Sequence, residues 1–541
     1  MLPMQNARSL PVLSTEATRA ADRATILELG VPGFALMETA ARGALAELEE
    51  WAGPSEELSV LVLAGKGNNG GDGLALARML AIRGARVLVL STASAEDGTE
   101  DARRNLALLE RLEDDELCWL DLEHVPAAAD RAELGRLVAD WVDGAGDRAL
   151  VAVDALLGIG ASGPLRAPVD ALAELCDAFE AVISLDVPTG LDSDSGFAHD
   201  ERTVVASLTV CMGALKSGLV LGDGPEYAGE VSVVDIGIPP TVLADSASAE
   251  GSGWLIGDAS VAGLLPERPR GAHKFSVGQL AVVAGSDSYS GAAVLASRAA
   301  GRVGAGYVMA FSSAAACAAI DAQAPEVCTV PIPTDHEAAA ALVRARGDRA
   351  SALLIGPGLE GTEASDSLVR ELLATGEGTA VIDAGALGAL VPWIEGGELK
   401  ERADERWVLT PHPGELARLI DFDADLEDAG AIERGRALAA RWGCVLVLKG
   451  APTLVCDPAG AVFVAGDAPT SLATAGSGDV LAGTIGGLLA QGLDPLDAAL
   501  AGVHLGLGAA RALEERGAGA GLLAGELADA LPGVLADLGV G

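Results

Sequence analysis

Residues 65–73 read "GKGNNGGDG". A β-rich apolar run, "LSVLVLA" (58–64), precedes them and a helix-period run, "LALARMLAIRG", follows. Strand, glycine-rich turn and helix in that order open a dinucleotide-binding α/β domain. The glycines let backbone approach a phosphate, and the helix start offers it unpaired N–H groups. Two features separate this stretch from a bound-cofactor site. The next strand, "ARVLVL" (85–90), runs into "STAS" without the acid that would hold a ribose hydroxyl. No Lys-Ser or Lys-Thr closes the loop, so it is not a P-loop either. A glycine turn that binds nothing would use the same letters, but the flanking strand and helix favour a site.

Working outward, the alternation continues. "ALVAVDALLG" (149–158), "AVISLDVP" (181–188), "ASLTVCMG" (206–213) and "GEVSVVDIGIP" (229–239) read as strands, separated by helical segments such as "APVDALAELCDAF". Uninterrupted β-rich runs suit parallel strands covered on both faces. The first half is therefore a Rossmann-like doubly wound sheet. The small, polar stretch 241–253 breaks the pattern. We divide the chain there into a first domain (1–243), a linker (244–253) and a second domain (254–541). Strands resume at 278–286, 306–312, 352–358, 379–387, 407–415 and 444–450, so the second half is a further α/β domain. No sequence repeat relates the halves.

Composition narrows the classes of function. The formal net charge is −42, which argues against nucleic-acid and acidic-membrane partners. No uncharged apolar run reaches the roughly 18 residues of a membrane span. The first residues lack the basic-then-apolar order of a signal peptide. A cytoplasmic location is expected. Seven scattered cysteines without a C-x-x-C pair exclude a disulfide framework or a structural zinc site, and read as buried thiols. Only five of the 36 basic residues are lysines. With the acid excess, this composition suits a salt-adapted cytoplasm, although a high-GC genome also replaces lysine by arginine.

Three acids stand at glycine- or proline-flanked turns: Asp72, Asp154 in "VDALLGIGASGPLR" and Asp186 in "SLDVPTGLDSDSG". Ligands of open α/β sheets bind at the carboxyl ends of strands, so the three would converge on one crevice. Singly, each is explained as a helix cap or turn acid. In the second half, "LATAGSGDVLAGTIGGLLAQG" places glycines at a helix start with Asp479 in its first turn. Such a turn suits phosphoryl transfer, in which backbone amides steady the moving group and a carboxylate takes the proton of the attacking hydroxyl. A buried helix with an ordinary first-turn acid is the bland alternative. Lys449 in "VLKGAPT" and His412 in "LTPHPGE" stand at further strand ends.

Together the three stretches of the first half resemble the NAD(P)H-hydrate epimerase family over about 240 residues, including "LPVLSTEATRAADRATILELGVPGFALMETAARGA" and "GALKSGLVLGDGPEYAGEVSVVDIGIP". The resemblance implies a substrate in which water has added to carbon 6 of the reduced nicotinamide ring. It implies that Asn68, Asn69, Gly70, Gly71 and Asp72 bind this hydrate, with Gly158, Ile159, Gly160, Ala161, Ser162, Gly163 and Pro164. It further implies a potassium ion on Asn69, Asp154 and Thr189, and Asp186 as the acid–base residue at the nicotinamide end.

Residues 270–515 resemble the ribokinase-like superfamily, and within it the ADP-dependent NAD(P)H-hydrate dehydratases. "HKFSVGQLAVVAGS", "YSGAAVLASRAAGRVGAGYV", "IGPGLE", "TPHPGE", "LKGAPT" and "AGSGDVLAG" carry the likeness. Glu360 and Ser477 depart from it, where glycine and threonine are usual. The resemblance implies that Lys449, Gly450, Ala451, Pro452, Thr453 and Gly478 bind the adenine nucleotide. Ala292, Gly358, His412 and Asp479 would bind the hydrate, with Asp479 as the catalytic base and Mg²⁺ near the phosphates. The expected substrates are NADHX, NADPHX and ADP, with AMP and phosphate as by-products, and identical chains are expected to assemble. The alternative is a ribokinase-like kinase of a small vitamin-type alcohol, fused to a ligand-sensing or interaction domain.

Overall fold

The structure is a computed structural model that describes residues 9–94, 97–113, 119–199, 201–420, 430–466 and 468–540. The chain forms two compact units, one of residues 11–253 and one of residues 254–541 together with the first ten.

The first unit is built on a seven-stranded sheet. After a short strand β1 (Leu10–Leu13) come β2 (Leu58–Ala64), β3 (Arg86–Ser91), β4 (Leu120–His124), β5 (Ala149–Ala155), β6 (Val182–Leu185), β7 (Leu208–Met212), β8 (Leu215–Lys216) and β9 (Glu230–Val234). The sheet order is β4-β3-β2-β5-β6-β7-β9, and every pairing is parallel. β1 lies outside it, paired in parallel with β8. All seven residues of β2 are buried, as helices on both faces require. The strand order reverses at β2, whose next strand in sequence lies on one side and β5 on the other. Ala64 and Ala155 pair at that point, so the turns after β2 and β5 open side by side.

The opening segment begins with a strand, β1, before its helices. Ser14 then caps the Thr15–Arg23 helix by accepting from the Ala17 amide. The stretch read as a linker begins inside a helix, Pro240–Ser246, and Ser252 is buried, accepting from the Ser14 amide at 3.0 Å.

The second unit continues with β10 (Gly253–Ile256), β11 (Gln279–Val283), β12 (Tyr307–Ser312), β13 (Cys328–Pro331), β14 (Ala352–Ile355), β15 (Thr379–Ile382), β16 (Trp407–Leu409), β17 (Val445–Leu448), β18 (Leu454–Cys456) and β19 (Val462–Ala465). Its order is β13-β12-β11-β14-β15-β16-β17-β18-β19-β10. The pairings are parallel from β13 to β17 and antiparallel through the β17-β18-β19 meander. With so few aromatics, the core is Leu, Val, Ile and Ala, and Trp407 and Trp442 are the largest fully buried side chains.

Pro495–Glu515 is, among the described residues, the one helix long and apolar enough to cross a membrane by length and composition. Ala499, Leu500, Leu505 and Ala509 on it are buried, the pattern of a core helix. Five of the cysteines are buried, but Cys328 is exposed because it starts the edge strand β13, which corrects the uniform reading as buried thiols. Cys118 lies outside the described residues.

Candidate active sites

In the first unit, the quoted glycine motif turns straight into the Asn68–Ile82 helix, which has no side-chain cap. Its amide ends are therefore open to a ligand. Tight packing explains the glycines: a Cβ on Gly70 would lie 1.8 Å from the Gly65 carbonyl oxygen. Asn69 is 8% exposed and donates from Nδ2 to the Leu157 carbonyl at 2.8 Å. Its Oδ1 is buried without a hydrogen-bond partner.

Asp154 is fully buried at the end of β5. Its carboxylate accepts from Thr189 N (2.8 Å), Thr189 Oγ1 (2.7 Å), Ser184 Oγ (3.0 Å) and Leu156 N (3.2 Å). Burial raises its pKa, and the Thr189 hydrogen bonds work the other way. Thr189 Oγ1 also accepts from the Leu157 amide at 3.0 Å. Leu157 thus ties Asn69 and Thr189 together, and Thr189 reaches Asp154.

Asp186 follows β6 with φ +68°, an uncommon conformation for a residue with a side chain. Lys216 holds it there. Its ammonium makes an ion pair with Asp186 and donates to the Met212 carbonyl at 2.8 Å and the Ala214 carbonyl at 3.0 Å. Burial alone would lower the pKa of this lysine, yet Asp186, Cys211 and Asp22 together more than offset it and raise the value. Asp72 and Asp22 face the same space. Burial pushes the Asp72 carboxyl well up, with Asp186 and Asp22 adding to the rise and Lys216 opposing it. Asp22 is raised by burial in the same way.

Two cavities meet at this place. One, of about 160 Å³, is lined by Asp22, Asp72, Asp186 and Lys216, with Met37 and Met212. The other, of about 1070 Å³, is lined by the 65–69 turn and residues 156–169. Asn68, Asn69 and Ile159 line both. Of the residues singled out in the sequence, residues 158–164 line the larger cavity, Asp72 and Asp186 the smaller. Asp154 and Thr189 line neither.

In the second unit, three strand ends and one helix start supply one charged centre. Lys449, just after β17, places its ammonium 2.8 Å from Asp383 Oδ1 and 3.7 Å from Glu415 Oε2. Asp383 follows β15 and is 1% exposed. Glu415 lies in the first turn of the Pro413–Leu419 helix, where it accepts from the His412 amide at 2.9 Å. Gly476, at φ +91°, starts the Ser477–Ala490 helix, and a Cβ there would meet Leu295 at 2.6 Å. Asp479, in the first turn, has its carboxyl pushed up to about 6 by burial and by Asp383, against the pull of Lys449. A Cβ on Gly478 would come within 3.5 Å of the Lys449 ammonium. Gly358 and Ala292 are also brought together: a Cβ on Gly358 would lie 2.9 Å from that of Ala292. His412 is exposed, and its Nδ1 accepts from the Gly414 amide at 3.0 Å as the helix cap. A cavity of about 450 Å³ alongside is lined by Tyr289, Leu359, Ala384, Gly385 and Glu415.

Four residues of these centres were not singled out in the sequence: Asp22, Lys216, Asp383 and Glu415. Signals existed for three. Lys216 is one of only five lysines, Asp383 is a strand-end acid like Asp154, and Glu415 closes the quoted "TPHPGE". Asp22 sits in a polar helix with no local mark.

Residues 280–533 match the family described as NAD(P)H-hydrate dehydratase, and residues 33–218 match the family described as YjeF-related protein N-terminus. The Bifunctional NAD(P)H-hydrate repair enzyme Nnr of Salinibacter ruber is 41% identical over 537 residues, covering 97% of this chain and 96% of that protein. The enzyme of the same description from Moorella thermoacetica is 36% identical, covering 96% and 95%. Among solved structures, an ADP/ATP-dependent NAD(P)H-hydrate dehydratase from Bacillus subtilis, co-crystallized with ATP/Mg²⁺ and soaked with CoA, is 30% identical. It covers 52% of this chain and 98% of that one, with a TM-score of 0.45. The chain belongs to the family of bifunctional NAD(P)H-hydrate repair enzymes.

Proposed function

We propose that the chain repairs hydrated NADH and NADPH in two steps. The first unit interconverts the R- and S-hydrates, and the second dehydrates the S-form with ADP, leaving NAD(P)H, AMP and phosphate. The observation that carries this reading is the family likeness across 97% of the chain, together with one lysine–carboxylate centre in each unit.

In the first unit, the larger cavity takes the body of the dinucleotide, and the smaller takes the hydrated ring beside Asp186. The unpaired, buried Asn69 Oδ1 is the oxygen that a potassium ion would satisfy, and Leu157 links Asn69 to Thr189, which reaches Asp154. Such an ion would supply fixed positive charge behind the turn that grips the substrate.

In the second unit, Asp479 takes the proton of the hydrate hydroxyl, whose oxygen then accepts the terminal phosphoryl group. Phosphate is a better leaving group than hydroxide, so the ring nitrogen can expel it, and loss of a proton from C5 of the resulting cation restores the C5=C6 bond of NAD(P)H. Lys449 and the 475–478 amides hold the nucleotide phosphates. Among the described residues, no cluster of three His, Cys, Asp or Glu side chains is arranged to hold a metal. That suits Mg²⁺, which is held by one or two carboxylates plus phosphates. Asp383 and Glu415 are the carboxylates in reach.

The test is an incubation of mixed R- and S-NADPH-hydrate with ADP or ATP, following the reduced-nicotinamide absorbance. Both forms should be consumed with ADP. In the Asp186→Ala variant the R-form should persist while the S-form is still repaired. A phosphorylated product in place of phosphate and AMP would favour the small-molecule kinase.

A further inference from the structure

The smaller cavity of the first unit gathers more acid than its one cation can neutralise. Asp22 comes from the Thr15–Arg23 helix, Asp72 from the Asn68–Ile82 helix, Asp186 from the turn after β6, and Lys216 from β8. Asp101, from the Glu100–Glu113 helix, also lines it. The Gly33–Ala52 helix contributes only apolar side chains here, Leu36 and Met37. A lysine ammonium has three donors. Those of Lys216 go to Asp186, the Met212 carbonyl and the Ala214 carbonyl. None remains for Asp72. Two of the carboxyls that line the cavity, Asp186 and Asp72, are thus set apart by their partners. Asp186 has its own cation, and Asp72 has burial and two neighbouring acids. Carboxyl pairs separated in this way divide into an acid and a base. Asn69, 8% exposed, lines the same cavity, and its Oδ1 is buried without a hydrogen-bond partner, so the polar lining is not wholly satisfied by the protein.

We infer that Asp72 is the proton donor of the epimerisation and Asp186 its base, with Lys216 positioning Asp186. The inference rests on the epimerase reading of this unit. Asp72 gives its proton to the C6 hydroxyl as the C6–O bond breaks. The ring-nitrogen lone pair closes a C6=N bond, leaving a cationic ring and water. Water adds to C6 from the opposite face, the C6=N pair returns to nitrogen, and Asp186 takes the proton that this water loses. That proton passes back to Asp72 within the cavity. The net change is inversion at C6, with every atom and electron accounted for.

The test uses the full chain and measures R-to-S conversion by chromatography across the pH range in which it stays folded. The wild-type rate should fall on the alkaline side as Asp72 loses its proton. Asp72→Asn should remove that limb and lower kcat by roughly 10²-fold or more, the usual size of a general-acid contribution, with KM little changed. Asp72→Glu should recover part of the rate. A protonated-carboxyl stretch in the wild-type infrared spectrum should titrate with the same midpoint as the alkaline limb and be missing in D72N. D72N conversion at near wild-type rate, or with its alkaline limb intact, overturns the assignment. Should D72N not fold, the wild-type infrared band decides alone, and its absence overturns the proposal. A wild-type chain that never converts R-hydrate overturns the epimerase reading itself, and the acid with it.

Discussion

The Lys449 ammonium lies 2.8 Å from the Asp383 carboxylate, so the lysine proposed to hold the nucleotide is already oriented between two strand ends. Asp479 faces this pair from the start of a helix, with its own carboxyl pushed up to about 6. Replacing Asp479 by alanine should abolish ADP-dependent repair of the S-hydrate and leave R-to-S conversion intact. The check is a two-substrate assay on one preparation, and near-normal dehydration would remove the role given to Asp479.

The raised Asp479 carboxyl also sets a pH dependence. As a base it must be ionised, so dehydratase kcat/KM should rise through about pH 6 and level off above it. Its folded pKa is higher than its unfolded one, so this group favours the fold below its ordinary pKa. That contribution is lost as pH rises through about 6. Asp383→Asn removes one of the charges that hold the value up and should move the acid limb to lower pH. A limb left in place would show that burial alone sets it.

Lys216→Met should be among the most damaging single changes. It leaves Asp186 in a nearly dry site without its cation, a loss of about 3–5 kcal/mol by analogy with other broken buried pairs. Adding Asp186→Asn should restore much of that stability in a denaturant titration and none of the epimerase activity. If the single variant melts like wild type, the ion pair does not organise the site.

Gly70→Ala should disrupt the turn between β2 and its helix, because the new methyl would lie 1.8 Å from the Gly65 carbonyl oxygen. Epimerisation should be lost with a fall in the melting temperature of the first unit, while dehydratase activity persists. Unchanged activity would mean that the turn tolerates a different path.

A net charge of −42 implies self-repulsion that salt screens. At 1 M salt the screening length is about 3 Å. The melting temperature should therefore rise from dilute buffer to molar KCl. Equal stability in both would leave the lysine-poor composition to genome bias.

The central strands of both sheets were legible because helices cover both their faces, and continuous apolar runs such as residues 58–64 record that burial. The strands that escaped are short or lie at edges. Leu120–His124 and Cys328–Pro331 end their sheets and have mostly exposed or half-exposed side chains, so their letters carry little β pattern. The β18-β19 hairpin is only three and four residues long on its two arms. Leu10–Leu13 is only four residues long and runs straight into the Thr15–Arg23 helix, so it leaves little β pattern of its own.

By itself, the sequence determined the two α/β halves, the glycine turns and the strand-end acids. All of these are local, written in apolar periodicity and in backbone positions where only a missing side chain fits. Which groups act on one another was decided by the tertiary structure alone. Asp22 and Lys216 lie far apart in the chain yet face Asp72 and Asp186 across one small cavity, and Lys449 meets Asp383 only because β17 and β15 flank β16. Charge is a property of a residue, but the protonation state that chemistry needs is a property of its neighbours. The parallel sheet brings those neighbours together from distant parts of the chain.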